Sequence, residues 1–307
     1  MNGRIALLVA VLMFTTGTAL AEAAIEPDLA PGGAQIDAQA TFGVATTPFD
    51  VATLPEAKGQ AFVLRAGGRY ALPIPLSLEL DVPLVLGSVA QPAGSYVDAT
   101  ALGNPQIGVR YRFIERRSGE AALALAGAVA VGIPLASHAE DLMPNRVLAI
   151  ADGIEGRAHP EWFTPGVVPI TASGALGWAS APWRLETELR LPLLVRVTDA
   201  NLPSMTTNTN TLGLAAVASG EARYRLSRRL SLAAGAHLFF DLAPSVAHVR
   251  DVSRVQDFER LSLHIHFGSR AALVVDLQTA IAGELGGSTI AFGLRGVVNL
   301  ERDQPRP

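Results

Sequence analysis

The stretch Trp183–Val197, "WRLETELRLPLLVRV", decides the fold because its side chains alternate in character along the chain. Apolar residues occupy every second position from Trp183 onward, and Thr187 is the exception. Charged residues fill most of the positions between them, apart from Pro192 and Leu194. Successive side chains of a β-strand point to opposite faces. The pattern therefore predicts a long strand that is apolar on one face and charged on the other.

The first residues of the chain resemble an export signal. Arg4 precedes the apolar run 5–14, and the small residues of 19–21 follow it. This run is about half of the ~20 residues that a membrane-spanning helix needs, which favours a secretory signal peptide over a membrane anchor. We expect the chain to divide into a signal peptide over 1–21, a short segment over 22–33, a barrel over 34–300 and a tail over 301–307.

The composition points to a membrane barrel rather than a soluble exported protein. Hydrophobic residues make up 49% of the chain, yet no later stretch reaches the ~18 unbroken apolar residues of a spanning helix. Transmembrane barrels spread their apolar residues over every second position of many strands. The chain has no cysteine for disulfides or thiolate metal sites, and its net charge of −4 disfavours nucleic acid as a partner.

The alternation recurs often enough to predict a complete barrel. We expect an all-β fold, a transmembrane up-and-down antiparallel β-barrel of about 12 strands, in the outer membrane of a Gram-negative bacterium. A soluble β-sandwich or calycin-like barrel is the alternative, but its strands would be shorter. The twelve strands are predicted at 34–44, 60–72, 76–86, 104–114, 121–133, 167–179, 183–197, 211–225, 230–242, 259–268, 271–282 and 288–300.

The connections between these strands alternate in length, as periplasmic turns and external loops do. The segment 283–287 is the exception, since it is short on the side where long loops are expected. The short connections are 73–75, 115–120, 180–183 and 226–229, and the long ones are 45–59, 87–103, 134–166, 198–210 and 243–258.

Aromatic residues should form a girdle where the outward face meets the membrane interface. The predicted girdle at the short-turn end, in contact with outer-membrane lipid, is Tyr70, Tyr111, Trp178, Trp183 and Tyr224.

Charged residues of both signs fall on the opposite, inward face. Their near balance does not indicate the strong ion selectivity of a ring with a single sign. Either a hydrated pore or a salt-bridged solid interior would satisfy them, because buried unpaired charges are costly. The predicted lumen-lining residues are Asp37, Glu79, Asp81, Arg110, Arg112, Arg184, Glu186, Glu188, Arg190, Arg196, Glu221, Arg223, Arg225, His264, His266, Asp276 and Arg295.

The segment "LGNPQIGVRYRF" (102–113) leads through Gly-Asn-Pro into a strand. It resembles a segment of outer-membrane transporters related to the MetA pathway of phenol degradation. The resemblance implies a passive channel for small solutes, with hydrophobic or aromatic compounds among them.

Other functions find less support in the residue pattern. A lipid-modifying enzyme of the outer membrane would need a histidine base beside a nucleophile on the lipid-facing wall. However, His237, His264 and His266 face inward by parity, and the remaining histidines lie in connections. The pair His264 and His266 supplies only two ligands, so no metal or other cofactor is expected. A closed structural barrel that acts through its surface loops remains the main alternative.

The longest connection, 134–166, carries the clearest hypothesis about pore size. The strand before it, 121–133, directs alanines and one glycine inward, which fill little space. Connections longer than ~12–15 residues are usually functional or disordered. We therefore expect this segment to fold into the barrel against the alanine wall and to narrow the pore. Trp162 and Phe163 within it could form a gate or simply pack on the barrel.

Overall fold

The chain is described here from a computed structural model. The residues that it describes are 29, 32–51, 54–119, 121–136, 142–197, 211–243, 255–268, 270–281 and 289–300. The predicted signal peptide over 1–21, most of the segment 22–33, the tail 301–307 and the connection 283–287 lie outside these residues.

Antiparallel strands dominate the described part of the chain, with two helices between the sixth and seventh strands. The strands are β1 Ala34–Val51, β2 Leu54–Ala71, β3 Leu76–Ala90, β4 Tyr96–Leu102, β5 Gln106–Ser118, β6 Ala121–Gly132, β7 Val167–Ser180, β8 Trp183–Arg196, β9 Leu212–Arg225, β10 Leu230–Asp241, β11 Val255–Phe267, β12 Ala271–Thr279 and β13 Ile290–Leu300; the helices are α1 Leu142–Ile154 and α2 Pro160–Phe163.

The sheet closes on itself as an up-and-down barrel. Each strand pairs with its neighbours in sequence, and β1 pairs with β13 to complete the ring. β4 and β5 occupy one position in the wall, because both pair with β3. β4 pairs with residues 84–90 of β3, and β5 pairs with residues 76–81. The thirteen strands therefore fill twelve positions, which confirms the predicted twelve-stranded barrel.

Several predicted connections are instead strand, which corrects the assignment at the long-connection end and, for 115–118, at the short-turn end. β1 and β2 continue into 45–59 and remain paired, with Thr46 opposite Lys58. Within 87–103, β4 forms a hairpin with β3. The predicted strand 104–114 begins at Gln106 and runs on to Ser118. Backbone hydrogen bonds can extend a hairpin beyond the membrane without an apolar outward face, so alternation alone underestimated these strands.

The two faces of the wall differ as the alternation predicted. Along β8 the side chains of Glu186, Glu188 and Arg190 are buried inside the barrel, whereas Leu185 and Leu189 are exposed on its outside. Exposed leucine, isoleucine and valine side chains cover the outer surface of the other strands as well. A protein surrounded by water rarely exposes so large an apolar area, so this surface fits a lipid environment.

The five aromatic residues of the predicted girdle all have exposed side chains on the outer surface. Trp183 and Tyr224 face each other across β8 and β9, with ring centres 4.8 Å apart. Tyr70 lies at the end of β2, next to the 72–75 turn, and Tyr111 lies opposite Leu76 at the start of β3. Among the described residues, neither helix is long and apolar enough to cross a membrane.

Candidate functional site

The segment 133–166, which we call the inward connection, places α1 inside the barrel. Val147, Leu148, Ile150 and Ile154 of this helix are completely buried. They form one apolar cluster with inward-facing alanines and valines of β1 to β4 and with Trp162 and Phe163. The prediction that this connection folds into the barrel is therefore confirmed.

The predicted contact of this segment with the alanine wall of β6 is wrong for α1, which packs mainly against β1 to β4. The reason is a groove of small residues on these strands. A Cβ atom on Gly59 would lie 2.1 Å from the Ser88 carbonyl oxygen of β3 and 2.9 Å from Ile150 Cδ1. One on Gly43 would lie 2.8 Å from Ala291 Cβ of β13 and 3.0 Å from Ile154 Cγ1. A side chain at either position would therefore meet the neighbouring strand first and the helix next.

A narrow gap separates α2 from the alanine wall. Ala130 of β6, Gly108 of β5 and Thr171 of β7 line one side of it, and His159 and Trp162 line the other. The small side chains of β6 thus border a gap rather than a packed helix.

Wall strands far from the groove hold the end of α1. His237 Nε2 of β10 donates a hydrogen bond to the Gly156 carbonyl at 2.9 Å, and Gln278 Nε2 of β12 donates to the Ile154 carbonyl at 3.3 Å. Gly156 has a φ of 61° and lies directly against the Phe258 ring. A side chain at this position would meet both backbone strain and that ring. The end of α1 is therefore fixed from three strands.

Asn104 ties both ends of the inward connection to the wall at the break between β4 and β5. Its Nδ2 donates to the carbonyls of Glu161 at 3.1 Å and Thr164 at 2.8 Å. Its Oδ1 accepts from the Ala136 amide at 2.9 Å, and its own amide donates to the Trp162 carbonyl at 2.7 Å. The side chain is fully buried. The Gly-Asn-Pro segment thus works as an anchor, a role that its sequence did not indicate.

The residues around α2 join the apolar cluster to the charged interior. The His159 ring stacks on Trp162 with centres 3.5 Å apart, and the Arg65 guanidinium lies 4.5 Å from the Trp162 ring centre. Arg65 in turn binds Asp81 at 2.6 Å. Trp162 and Phe163 therefore pack on their own barrel, inside it, rather than at an exposed loop tip.

Arg190 of β8 binds residues 158–161 of the inward connection. Its Nη1 donates to His159 Nδ1 at 2.5 Å and lies 3.2 Å from Glu161 Oε1, and its Nη2 donates to the Ala158 carbonyl. Burial, followed by the nearby Arg190 charge, holds the pKa of His159 well below its ordinary value. The ring is therefore neutral and can accept this hydrogen bond.

Three carboxyl groups of the inward connection are buried and protonate more readily than exposed ones. Burial raises the pKa of Asp152 to about 6, although Arg157 opposes the shift. Burial also raises the pKa of Glu155 and of Glu161 to about 7 each. The connection therefore gains negative charge as the pH rises through neutrality.

Below the apolar cluster lies a polar chamber; the space between its lining residues, counting any part open to solvent, is about 840 Å³. Glycine, alanine and serine of β9 and β10 form one side of it. Its charged and imidazole lining residues are Arg65, Glu155, His159, Glu186, Glu188, Arg190, Glu221, His237, Arg260 and Arg295. The chamber thus combines open space with charges of both signs.

Most residues of the predicted lumen lining are buried in the barrel wall, but only five of them border the chamber. Those five are Glu186, Glu188, Arg190, Glu221 and Arg295. Others form ion pairs elsewhere in the interior, such as Arg110 with Glu79 at 2.8 Å. Arg112 is partly exposed, and Arg225 is exposed at the end of β9. The remaining members, which do not border the chamber, are Asp37, Asp81, Arg184, Arg196, Arg223, His264, His266 and Asp276.

A second cavity, with about 780 Å³ of empty volume, lies at the short-turn end. Arg69, Arg110 and Arg112 line it together with the turn after β2.

His264 and His266 have ring centres 6.4 Å apart. The described residues contain no group of three or more side chains suited to a metal ion.

Arg260, Gln278 and Glu155 border the chamber although they are absent from the predicted lumen lining. Arg260 has the same strand parity as His264 and His266, and Gln278 has the same parity as Asp276, so the period-two pattern could have identified both of them. Glu155 follows α1, and no strand pattern could have placed it inside the barrel.

No protein-family model matches this sequence, and a search of curated proteins finds no match. Among solved structures, the chain is similar to the COG4313 outer membrane channel from Pseudomonas putida F1, with 14% identity, 90% of this chain and 98% of that chain covered, and a TM-score of 0.62. It is also similar to the NanC porin, with 9% identity, 86% and 98% covered, and a TM-score of 0.50. The CymD monoaromatic hydrocarbon channel aligns at a TM-score of 0.43, with 11% identity and 90% of each chain covered, which is too low to support an argument. These three are channels or porins, and the first two show that the chain has the fold of an outer-membrane β-barrel.

Proposed function

We propose that this chain is a passive channel for small solutes in the outer membrane of a Gram-negative bacterium. On this proposal the wall strands meet lipid, the aromatic girdle lies at the membrane interface, and the inward connection narrows the path. The observation that carries the proposal is the polar chamber, which leaves space between charged side chains inside the barrel. A barrel with only a structural role would gain stability from a filled interior.

The interior charges are accommodated partly by direct ion pairs and partly by the open chamber. Buried charges persist when they are paired or hydrated. Several interior pairs are close, such as Arg184 with Glu186 at 2.5 Å and Arg223 with Glu221 at 2.9 Å. Most of the predicted lumen-lining residues lie outside the chamber. We propose that they line the rest of the solute path, between the chamber and the short-turn end. The fold similarity to the COG4313 channel is consistent with it.

Single-channel recording in planar bilayers tests the proposal. We expect small, steady conductance steps from the full-length barrel and larger steps after deletion of 138–160, because the deletion removes α1 from the interior. Removal of 92–94, an exposed turn between β3 and β4, is the matched control and should leave the steps unchanged. A silent bilayer with both the intact and the deleted barrel, each resistant to heat on gels, would overturn the proposal and favour the closed structural barrel.

A further inference from the structure

The turn between β9 and β10 carries three exposed arginines, Arg225, Arg228 and Arg229, which we call the basic turn. They lie within one tight hairpin, in which the Leu226 amide donates to the Leu230 carbonyl at 3.0 Å. Among the described residues, no ion pair joins these three arginines to a carboxylate. Their charge is therefore available to a partner outside the chain.

The neighbouring strands bring no carboxylate to the basic turn. The Arg225 amide donates to the Pro182 carbonyl, just before β8, at 2.9 Å, and the His266 amide of β11 donates to the Arg229 carbonyl at 2.8 Å. These hydrogen bonds place the start of β8 and the end of β11 on either side of the turn. The stretches of sequence around these three places contain no aspartate or glutamate: 167–185, 222–240 and 261–275.

Three of the other short turns differ from the basic turn in charge. Glu115 at the β5–β6 turn binds both Arg112 and Arg117 at 2.8 Å, so acid and base are mixed there. The turns over 72–75 and 181–182 contain no charged residue. These three turns therefore lack the uniform positive charge of the basic turn.

Exposed apolar side chains surround the basic turn on the outer surface of the barrel. Tyr224, Leu226 and Leu230 lie within the hairpin or beside it. The Trp183 ring of β8 lies 4.8 Å from the Tyr224 ring, and Phe267 of β11 is 61% exposed. This surface is continuous with the apolar outer wall, so it fits acyl chains better than it fits a water-soluble partner.

We propose that the basic turn binds the phosphate of an acidic phospholipid, phosphatidylglycerol, whose acyl chains lie against Trp183, Tyr224 and Phe267. This inference rests on the placement of the wall in a membrane, which is part of the proposed function, and it names a lipid that the barrel selects. The guanidinium fork of arginine matches the geometry of phosphate oxygens. Phosphatidylcholine carries the same phosphate but binds less well, because the three arginines repel its choline ammonium group.

Quenching of Trp183 fluorescence by brominated lipid tests this site. In a Trp178→Phe background, Trp183 is the tryptophan of the outer surface, since Trp162 is buried inside the barrel. The refolded barrel is placed in phosphatidylcholine vesicles with increasing fractions of phosphatidylglycerol or phosphatidylcholine that is brominated near the headgroup. Each basic residue near an anionic lipid strengthens association about fivefold. We therefore expect the brominated phosphatidylglycerol to associate about tenfold more tightly, or more, than the brominated phosphatidylcholine.

Substitutions at the basic turn localise the preference. Arg228→Gln with Arg229→Gln should bring the ratio of the two association constants toward one. Arg228→Lys with Arg229→Lys keeps the charge and should retain most of the preference. Arg116→Gln with Arg117→Gln, at exposed positions near the β5–β6 turn, removes the same charge from the same rim and is the matched control. It should leave the ratio measured at Trp183 unchanged.

The outcomes separate this inference from the proposed function. Equal quenching by the two brominated lipids would overturn the lipid selection and leave the membrane barrel standing. A preference that survives the double glutamine substitution, or that the control substitution also removes, would overturn the assignment to the basic turn. A Trp183 that neither lipid quenches would overturn the membrane placement on which the channel proposal depends.

Discussion

The two halves of the barrel interior are filled by opposite means. Toward the long connections, α1 and the groove of β1 to β4 form a dry apolar cluster that includes Ile150, Ile154 and Trp162. Toward the short turns, the interior consists of ion pairs and the polar chamber, with Glu188 and Arg295 in its lining. One continuous set of strands supports both halves, because inward positions can carry glycine and alanine at one end and charged residues at the other.

This difference gives the two halves of the interior different physical properties. The apolar half excludes water and gains free energy from burial, so it holds the inward connection in place. The charged half is held by ion pairs and by polar groups around the chamber, so it tolerates charge that the apolar half does not. We therefore expect a single new charge to have very different effects in the two halves.

The largest expected effect is that of an aspartate in the apolar half. Ile150→Asp would place a carboxylate without a partner where the native side chain is completely buried. An uncompensated buried charge costs about 3–5 kcal/mol, enough to displace α1. Hydrogen exchange over 142–154, followed by mass spectrometry, should become roughly a hundredfold faster or more. Ser219→Asp, in the chamber lining, is the matched control and should change this exchange only slightly. Equal effects of the two variants would contradict the division into a dry half and a wet half.

A smaller effect is expected at the anchor between the halves. Asn104→Ala removes the side-chain hydrogen bonds to Ala136, Glu161 and Thr164. The loss of such buried bonds costs about 1–3 kcal/mol and should loosen both ends of the inward connection. Amide exchange at 133–136 and 160–166 should accelerate, while exchange within β8 stays slow. Asp98→Ala, at an exposed position on β4, serves as the control. Unchanged exchange at both ends in the Asn104 variant would show that the apolar cluster alone holds the connection.

The smallest expected effect comes from pH. The pKa of Glu155 and of Glu161 is about 7 in the folded chain, above the ordinary value of 4.5. The inward position therefore favours the protonated carboxyls: it is most stable below about pH 4.5 and loses stability as the pH rises through about 7. In a Trp178→Phe/Trp183→Phe background, where Trp162 is the remaining tryptophan, acrylamide quenching should increase from pH 5 to pH 8. Adding Glu155→Gln and Glu161→Gln should remove most of this increase. Quenching that decreases as the pH rises would contradict the prediction that the inward position loses stability at high pH.

The barrel wall could be predicted from sequence because its cause is local. Side chains on a strand alternate with a period of two wherever its two faces have different surroundings, as do the exposed apolar and buried charged faces from Leu185 to Arg190. The aromatic residues near the short turns followed from the same parity. The extensions of β1 and β2 could not be predicted in this way, because outside the membrane a paired strand has no need of an apolar face, and Lys58 breaks the pattern.

The candidate site was predictable only in part. Alternation identified Glu186, Glu188 and Arg295 as inward residues, since strand parity alone decides that. It could not show which inward charges border open space. That depends on where the inward connection ends, and thus on the contacts of Gly156 and His237, which are remote from each other in sequence.

The sequence by itself determined the closed barrel, its strand number and the faces of its strands, because these follow from backbone geometry and the contrast between lipid and water. The tertiary structure alone decided where the inward connection packs. The small residues of the groove, such as Gly43 and Gly59, and the buried amide of Asn104 act only when distant segments meet.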